Sequence, residues 1–171
     1  MRKVSLLVLV ALLATVGTAF AINRNYSVHL SSDEEVPPVA DLVIDSQAQG
    51  QAIFHLSEDG TALEYKLIAA NIDNAFMAHI HLGAVGTNGP IVAFLYGPVA
   101  PGGGRTDGVL AEGTITAANL VGPLAGHPLS DLITAMNDGG AYVNVHTNDG
   151  VAPPNTGPGD FPGGEIRGQL P

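Results

Sequence analysis

The stretch QAIFHLSEDGTALEYKLIA, residues 51–69, decides the fold. Ala52, Phe54 and Leu56 alternate with Gln51, Ile53 and His55, so an extended chain puts the two sets on opposite faces. Glu58-Asp59-Gly60 is a turn signal. Leu63, Tyr65, Leu67 and Ala69 then resume the two-residue period, leaving Glu64 and Lys66 on the wet face. The segment reads as an antiparallel hairpin with one apolar side.

The same short period recurs on either side of the hairpin. Strands are predicted at about 26–30, 76–82, 90–96, 109–116, 141–147 and 165–170. Glycine- and proline-rich stretches at 97–108 and 148–164 read as long exposed loops, and loops of that length tend to be functional or mobile. Ser130 is placed to cap one short helix running to Met136, with Leu132, Ile133 and Met136 on its apolar side and Gly139-Gly140 ending it. About eight strands and one short helix predict an all-β fold, an antiparallel β-sandwich or Greek-key barrel, in a single domain without tandem repeats.

Composition narrows the function. The chain has 171 residues, 6 Lys+Arg against 16 Asp+Glu, and no Cys. The absence of Cys excludes disulfides, thiol nucleophiles and Cys-ligated zinc or iron–sulfur sites. A sequence pI near 4.7 opposes binding to nucleic acid or an anionic membrane. Arg2 and Lys3 precede an apolar run, and Ala19-Phe20-Ala21 offers a small-x-small cleavage site. Residues 1–21 thus read as a signal peptide and 22–171 as the mature, secreted or periplasmic domain, with no membrane attachment after cleavage. The apolar run is short for a spanning helix, which leaves an uncleaved anchor as the alternative. Cleavage leaves 4 basic residues against 16 acidic ones, a net charge of −12.

No Gly-x-Ser-x-Gly elbow, phosphate-binding loop or His-Glu-x-x-His helix is present. The histidines carry more information. In Met77-Ala78-His79-Ile80-His81-Leu82, alternation puts Met77, His79 and His81 on one face and Ala78, Ile80 and Leu82 on the core face. The two histidines are then separated by roughly 6.6 Å of rise, a gap two rings can close onto one metal. In Tyr142-Val143-Asn144-Val145-His146, Val143 and Val145 point inward, so Asn144 and His146 face outward. If the two strands meet with matching faces, three imidazoles converge. The alternative is that His79 and His81 are surface or half-buried histidines hydrogen-bonded to loop backbone. Met77 is open to two readings, soft ligand or packing filler. His29, His55 and His127 have no partner at ligand spacing. Glu165, Arg167 and Gln169 share a strand face, where Glu165–Arg167 could pair or fix a loop. An exposed pair there would contribute little. Asp149, Asp160 and Glu165 could form a hard-cation site or simply be solvated acids.

The ordered blocks Glu35-Val36-Pro37-Pro38-Val39, Ala78-His79-Ile80-His81-Leu82-Gly83, Asn88-Gly89-Pro90, Tyr142-Val143-Asn144-Val145-His146-Thr147 and Gly164-Glu165-Ile166-Arg167-Gly168-Gln169-Leu170 resemble the CHRD domain family. That family is named for modules of chordin and also occurs as single secreted bacterial domains. The resemblance spans about 26–170 and implies an extracellular all-β module of largely unassigned activity; the favoured reading is a non-enzymatic binding module whose extracellular protein partner the sequence does not identify. The chain is also similar, more distantly, to copper/zinc superoxide dismutases. By that likeness His79, His81 and His146 match copper ligands and Arg167 an anion-guiding arginine, with Asn144 and Glu165 around them. The bridging histidine and zinc loop of that family have no counterpart between Leu82 and Pro90.

Two functions follow. One is a non-enzymatic module holding a divalent metal at His79, His81 and His146, copper first by affinity order. The other is a copper-dependent dismutase-like redox enzyme. A third possibility makes the cluster purely structural. Ligating imidazoles must be neutral, so ordinary histidines would release metal below about pH 6.

Overall fold

The computed structural model describes residues 23–39, 41–153 and 157–171. The signal peptide expected at 1–21 lies outside the described residues. Eight antiparallel strands are present: β1 (Asn25–Ser31), β2 (Gln49–Leu56), β3 (Leu63–Asp73), β4 (Ala75–Leu82), β5 (Ile91–Tyr96), β6 (Arg105–Ile115), β7 (Ala141–Thr147) and β8 (Ile166–Gln169). They form one sheet in the order β5-β4-β7-β8-β1-β2-β3-β6. The sheet curls until its edge strands β5 and β6 approach, giving a nearly closed barrel and resolving the choice between sandwich and barrel. Register shifts between Leu67 and Ile68 and between Ala69 and Ile72 sharpen the curl where β3 meets β6. Across the seam the Tyr65 hydroxyl donates to the Leu95 carbonyl at 2.7 Å.

The hairpin expected over residues 51–69 forms between β2 and β3. Burial alternates strictly along β2, and Phe54 lies opposite Tyr65 on β3. Leu30, Phe54, Leu67, Ile80, Val143 and Ile166 meet in the barrel interior. One helix, α1 (Leu129–Asn137), buries Leu129, Leu132, Ile133 and Met136 against the core.

Two local expectations are corrected. Ser130 does not cap α1, because the helix already starts at Leu129 behind Pro128, whose ring holds φ at −68°. Ser130 falls in the first turn. The loop expected over 97–108 is shorter, since β6 begins at Arg105. Arg105 bonds Asp107 and Asn71, and the Asn71 amide donates to Asp107. These contacts draw the glycine-rich segment into the ladder against its composition.

Candidate metal centre

Strand register assembles the site. On the β4–β7 ladder Met77 lies opposite His146, His79 opposite Asn144, and His81 opposite Tyr142. On the β7–β8 ladder Asn144 lies opposite Arg167. Directly paired residues share a face. Ala78, Ile80, Val143, Val145 and Ile166 take the interior face, so the histidines stand outside the barrel wall. There they are nonetheless buried, His79 at 1% exposure and His81 and His146 at 7% each. They are more buried than the surface or half-buried reading expected, although His81 and His146 do bond loop backbone as it supposed. Residues 83–90 cross the mouth of β4, while the segments before β2 and before β8 supply the rest of the cover.

Each covering loop has an anchor. The Glu165 carboxylate accepts hydrogen bonds from Ser46 Oγ at 2.5 Å, Thr147 Oγ1 at 2.6 Å and the Gly159 amide at 2.8 Å. One buried charge thereby joins three segments. Arg167 is 1% exposed; it donates to the Ala84 and Thr87 carbonyls, to Asn88 Oδ1 and to Gln169 Oε1. Its guanidinium sits 3.5 Å from the centre of the Tyr142 ring, whose environment also includes a stacked His81 at 4.8 Å. No Glu165–Arg167 ion pair forms among the described residues. Both residues share a face, but each is drawn to a different loop. Asp160 is likewise buried rather than solvated, so the 148–164 loop folds inward near its end.

The imidazoles converge. Ring centres lie 4.9 Å apart for His79–His146, 5.4 Å for His79–His81 and 5.8 Å for His81–His146. One ring nitrogen from each falls within 4.8 Å of the other two. Tetrahedral coordination at 2.0–2.1 Å needs nitrogens about 3.3–3.4 Å apart, a closure that small side-chain rotations supply. The orientation of two rings is fixed. His81 Nδ1 meets the Gly89 carbonyl at 2.9 Å and His146 Nδ1 the Pro162 carbonyl at 3.0 Å. A carbonyl only accepts, so in the neutral rings both Nδ1 atoms carry the proton and both Nε2 atoms present lone pairs. Backbone orientation of this kind is what metal-ligating histidines commonly have. His81 Nε2, His146 Nε2 and both nitrogens of His79 have no hydrogen-bond partner in the protein. Met77 lies opposite His146 on the same face and is only partly buried.

Gly89 shows why a glycine stands there. A Cβ at that position would lie 1.7 Å from the Leu82 carbonyl oxygen, so only a bare backbone can bring the Gly89 carbonyl to His81.

Burial also tunes the charge. Desolvation, reinforced by the neighbouring His146 and His81, lowers the His79 pKa to about 3. His146 falls to about 4, again mainly through desolvation, with the Pro162 hydrogen bond opposing it. His81 is lowered by burial and by the charge of Arg167, against the pull of Gly89. All three are neutral at pH 7, the form that binds metal.

Sequence reasoning missed Glu35. Its carboxylate Oε2 accepts from Asn144 Nδ2 at 3.3 Å, and Oε1 has no partner. Desolvation raises its pKa to about 8, although the charge of Arg167 and the Asn144 amide pull downwards. The run Asp33-Glu34-Glu35 before Pro37 marks an acidic turn, but nothing in it says which acid turns inward. Beside Glu35 an apolar groove of about 260 Å³ opens between Pro38, Val39, Leu42, Ile44, Phe161 and Pro162. Gly164 lines it and also abuts the Asn144 amide.

The sequence matches the family model of the CHRD domain over residues 26–170. The chain belongs to the CHRD domain family. No curated protein and no solved structure matches it. Among the described residues no helix is long and apolar enough to cross a membrane.

Proposed function

We propose that this protein is a secreted, non-enzymatic binding module in which His79, His81 and His146 hold one divalent metal, copper first. The observation that carries the reading is the set of three buried, neutral imidazoles with unpartnered nitrogens within 4.8 Å of one another. Leaving such nitrogens buried and unpaired costs about 1–3 kcal/mol each, and a metal ion offsets that cost. Three imidazoles suit copper, zinc and nickel, and the affinity order for a given nitrogen site peaks at Cu(II). Residues 1–21 act as the export signal, and the apolar groove beside the site offers an extracellular partner a place to bury an apolar side chain.

Titrating copper(II) into wild type and His81→Ala tests the site. Wild type binds one equivalent, while the variant loses at least tenfold in affinity. Equal, weak binding by both removes the site.

The dismutase-like alternative needs Arg167 to draw an anion from solvent. Its 1% exposure and four protein acceptors speak against that role. Catalytic dismutation by the copper-loaded chain above free-copper controls would reinstate it.

A further inference from the structure

The register that gathers the histidines also places a fourth donor among them. Asn144 lies directly opposite His79 and two residues before His146 on the same outer face. His81 and His146 belong to the same-face ladder pairs on either side of the His79–Asn144 pair, so Asn144 stands in the row between them, beside His79. The side chain is 2% exposed. Its Nδ2 is committed to the Glu35 carboxylate, whereas Oδ1 is buried without a hydrogen-bond partner. Of the seven buried side-chain atoms without a hydrogen-bond partner among the described residues, six belong to this group, four imidazole nitrogens, Glu35 Oε1 and Asn144 Oδ1, and the seventh is Asp160 Oδ1. An amide oxygen is a neutral donor that a divalent ion accepts as a weak ligand beside stronger nitrogens. The opposing contact on Nδ2 holds the amide orientation in the manner of an outer-shell partner.

Resting on the metal reading above, we infer that Asn144 Oδ1 is an oxygen ligand completing the three-histidine site, giving a three-nitrogen, one-oxygen donor set for a divalent ion. Glu35 is then a positioning residue that holds the amide through Nδ2. A histidine-only site with a solvent ligand is the competing arrangement. The oxygen set favours Cu(II), Zn(II) or Co(II) over Cu(I), because a monovalent soft ion gains little from an amide oxygen.

The test loads the full chain with copper(II) and compares wild type, His81→Ala, Asn144→Ala, Asn144→Asp and Glu35→Gln by competition titration and electron paramagnetic resonance, with circular dichroism to verify folding. The expected result is a tenfold or greater loss of copper(II) affinity in Asn144→Ala with altered hyperfine splitting. Asn144→Asp restores binding with its own distinct spectrum, since a carboxylate oxygen replaces the amide one, and Glu35→Gln, which puts an amide in place of the group that holds Nδ2, shifts the hyperfine splitting and weakens binding by less than Asn144→Ala does. A wild-type spectrum and affinity in Asn144→Ala overturn the inference while the histidine site stands. Should Asn144→Ala not fold, an Asn144→Asp spectrum identical to wild type overturns it equally. Undiminished binding by His81→Ala instead fells the underlying three-histidine reading, a separate and recognisable outcome.

Discussion

At the scale of single residues, Gly89 and Glu35 show how closely backbone and charge are fitted around the centre. Replacing Gly89 by Ala forces a methyl group onto the Leu82 carbonyl and moves the acceptor that orients His81. We expect a loss of about 3 kcal/mol or more in urea denaturation, together with weakened metal binding. Glu35 acts through its proton. Its pKa is about 8 when folded against 4.5 as the ordinary value, so the folded chain holds more protons than the unfolded chain between those limits. Its stabilising contribution is whole below pH 4.5 and disappears as pH rises through 8. Glu35→Gln, which cannot ionise, should therefore gain stability at pH 8.5 relative to wild type, by about 1–3 kcal/mol, and lose that advantage at pH 4.5. Equal differences at both pH values would show that folding leaves the Glu35 pKa unshifted. The histidine spacing and the outward face of His146 were legible from strand alternation alone. The burial of that face was not, because it depends on loops whose glycines and prolines specify turns but not where the turns land.

At the scale of elements, the covering loops depend on Glu165. Three donors converge on one carboxylate that is 1% exposed, and the group links Ser46, Thr147 and Gly159 across otherwise separate segments. Glu165→Gln swaps one acceptor oxygen for a donor amide facing other donors. A loss of about 2–4 kcal/mol is expected. Hydrogen exchange at the Gly159 and Phe161 amides should accelerate first, ahead of the β2–β3 hairpin, and uniform acceleration everywhere would contradict a local role. Every strand was foreseen from period-two alternation, to within a few residues at the ends. What sequence reading lost were the places where side chains overrule composition. Asp107 and Asn71 pull Arg105 and its glycine neighbours into β6, and Glu165 is recruited by a loop rather than by Arg167.

At the scale of the whole molecule, titration couples the site to stability. The folded pKa values of His79 and His146, about 3 and about 4, lie below the ordinary 6.5, so the unfolded chain takes up protons that the folded chain refuses. Metal-free protein should lose stability as pH falls below 6.5, at up to about 1.4 kcal/mol per pH unit for each ring, while Glu35 erodes stability as pH rises from 4.5 to 8. Stability by urea titration is expected to peak near neutrality. The same depression revises the threshold set by ordinary histidines: copper(II) should still be held at pH 6, and the affinity lost through His79 and His146 should fall towards pH 3–4. Release already complete at pH 6 would show that the rings titrate as free imidazoles. The seam between β5 and β6 has a different consequence. Among the described residues no strand pairs with the outer flank of β6, so about every second of its eleven residues turns an amide and a carbonyl to that flank, where a neighbouring molecule could use them as a template. Arg105, Asp107 and Glu112, with Gly108 and Gly113, are poor company for an incoming strand, and the acidic surface adds long-range repulsion. Stripping those charges, or storing concentrated protein in brine, would lower the barrier to fibre growth along that flank.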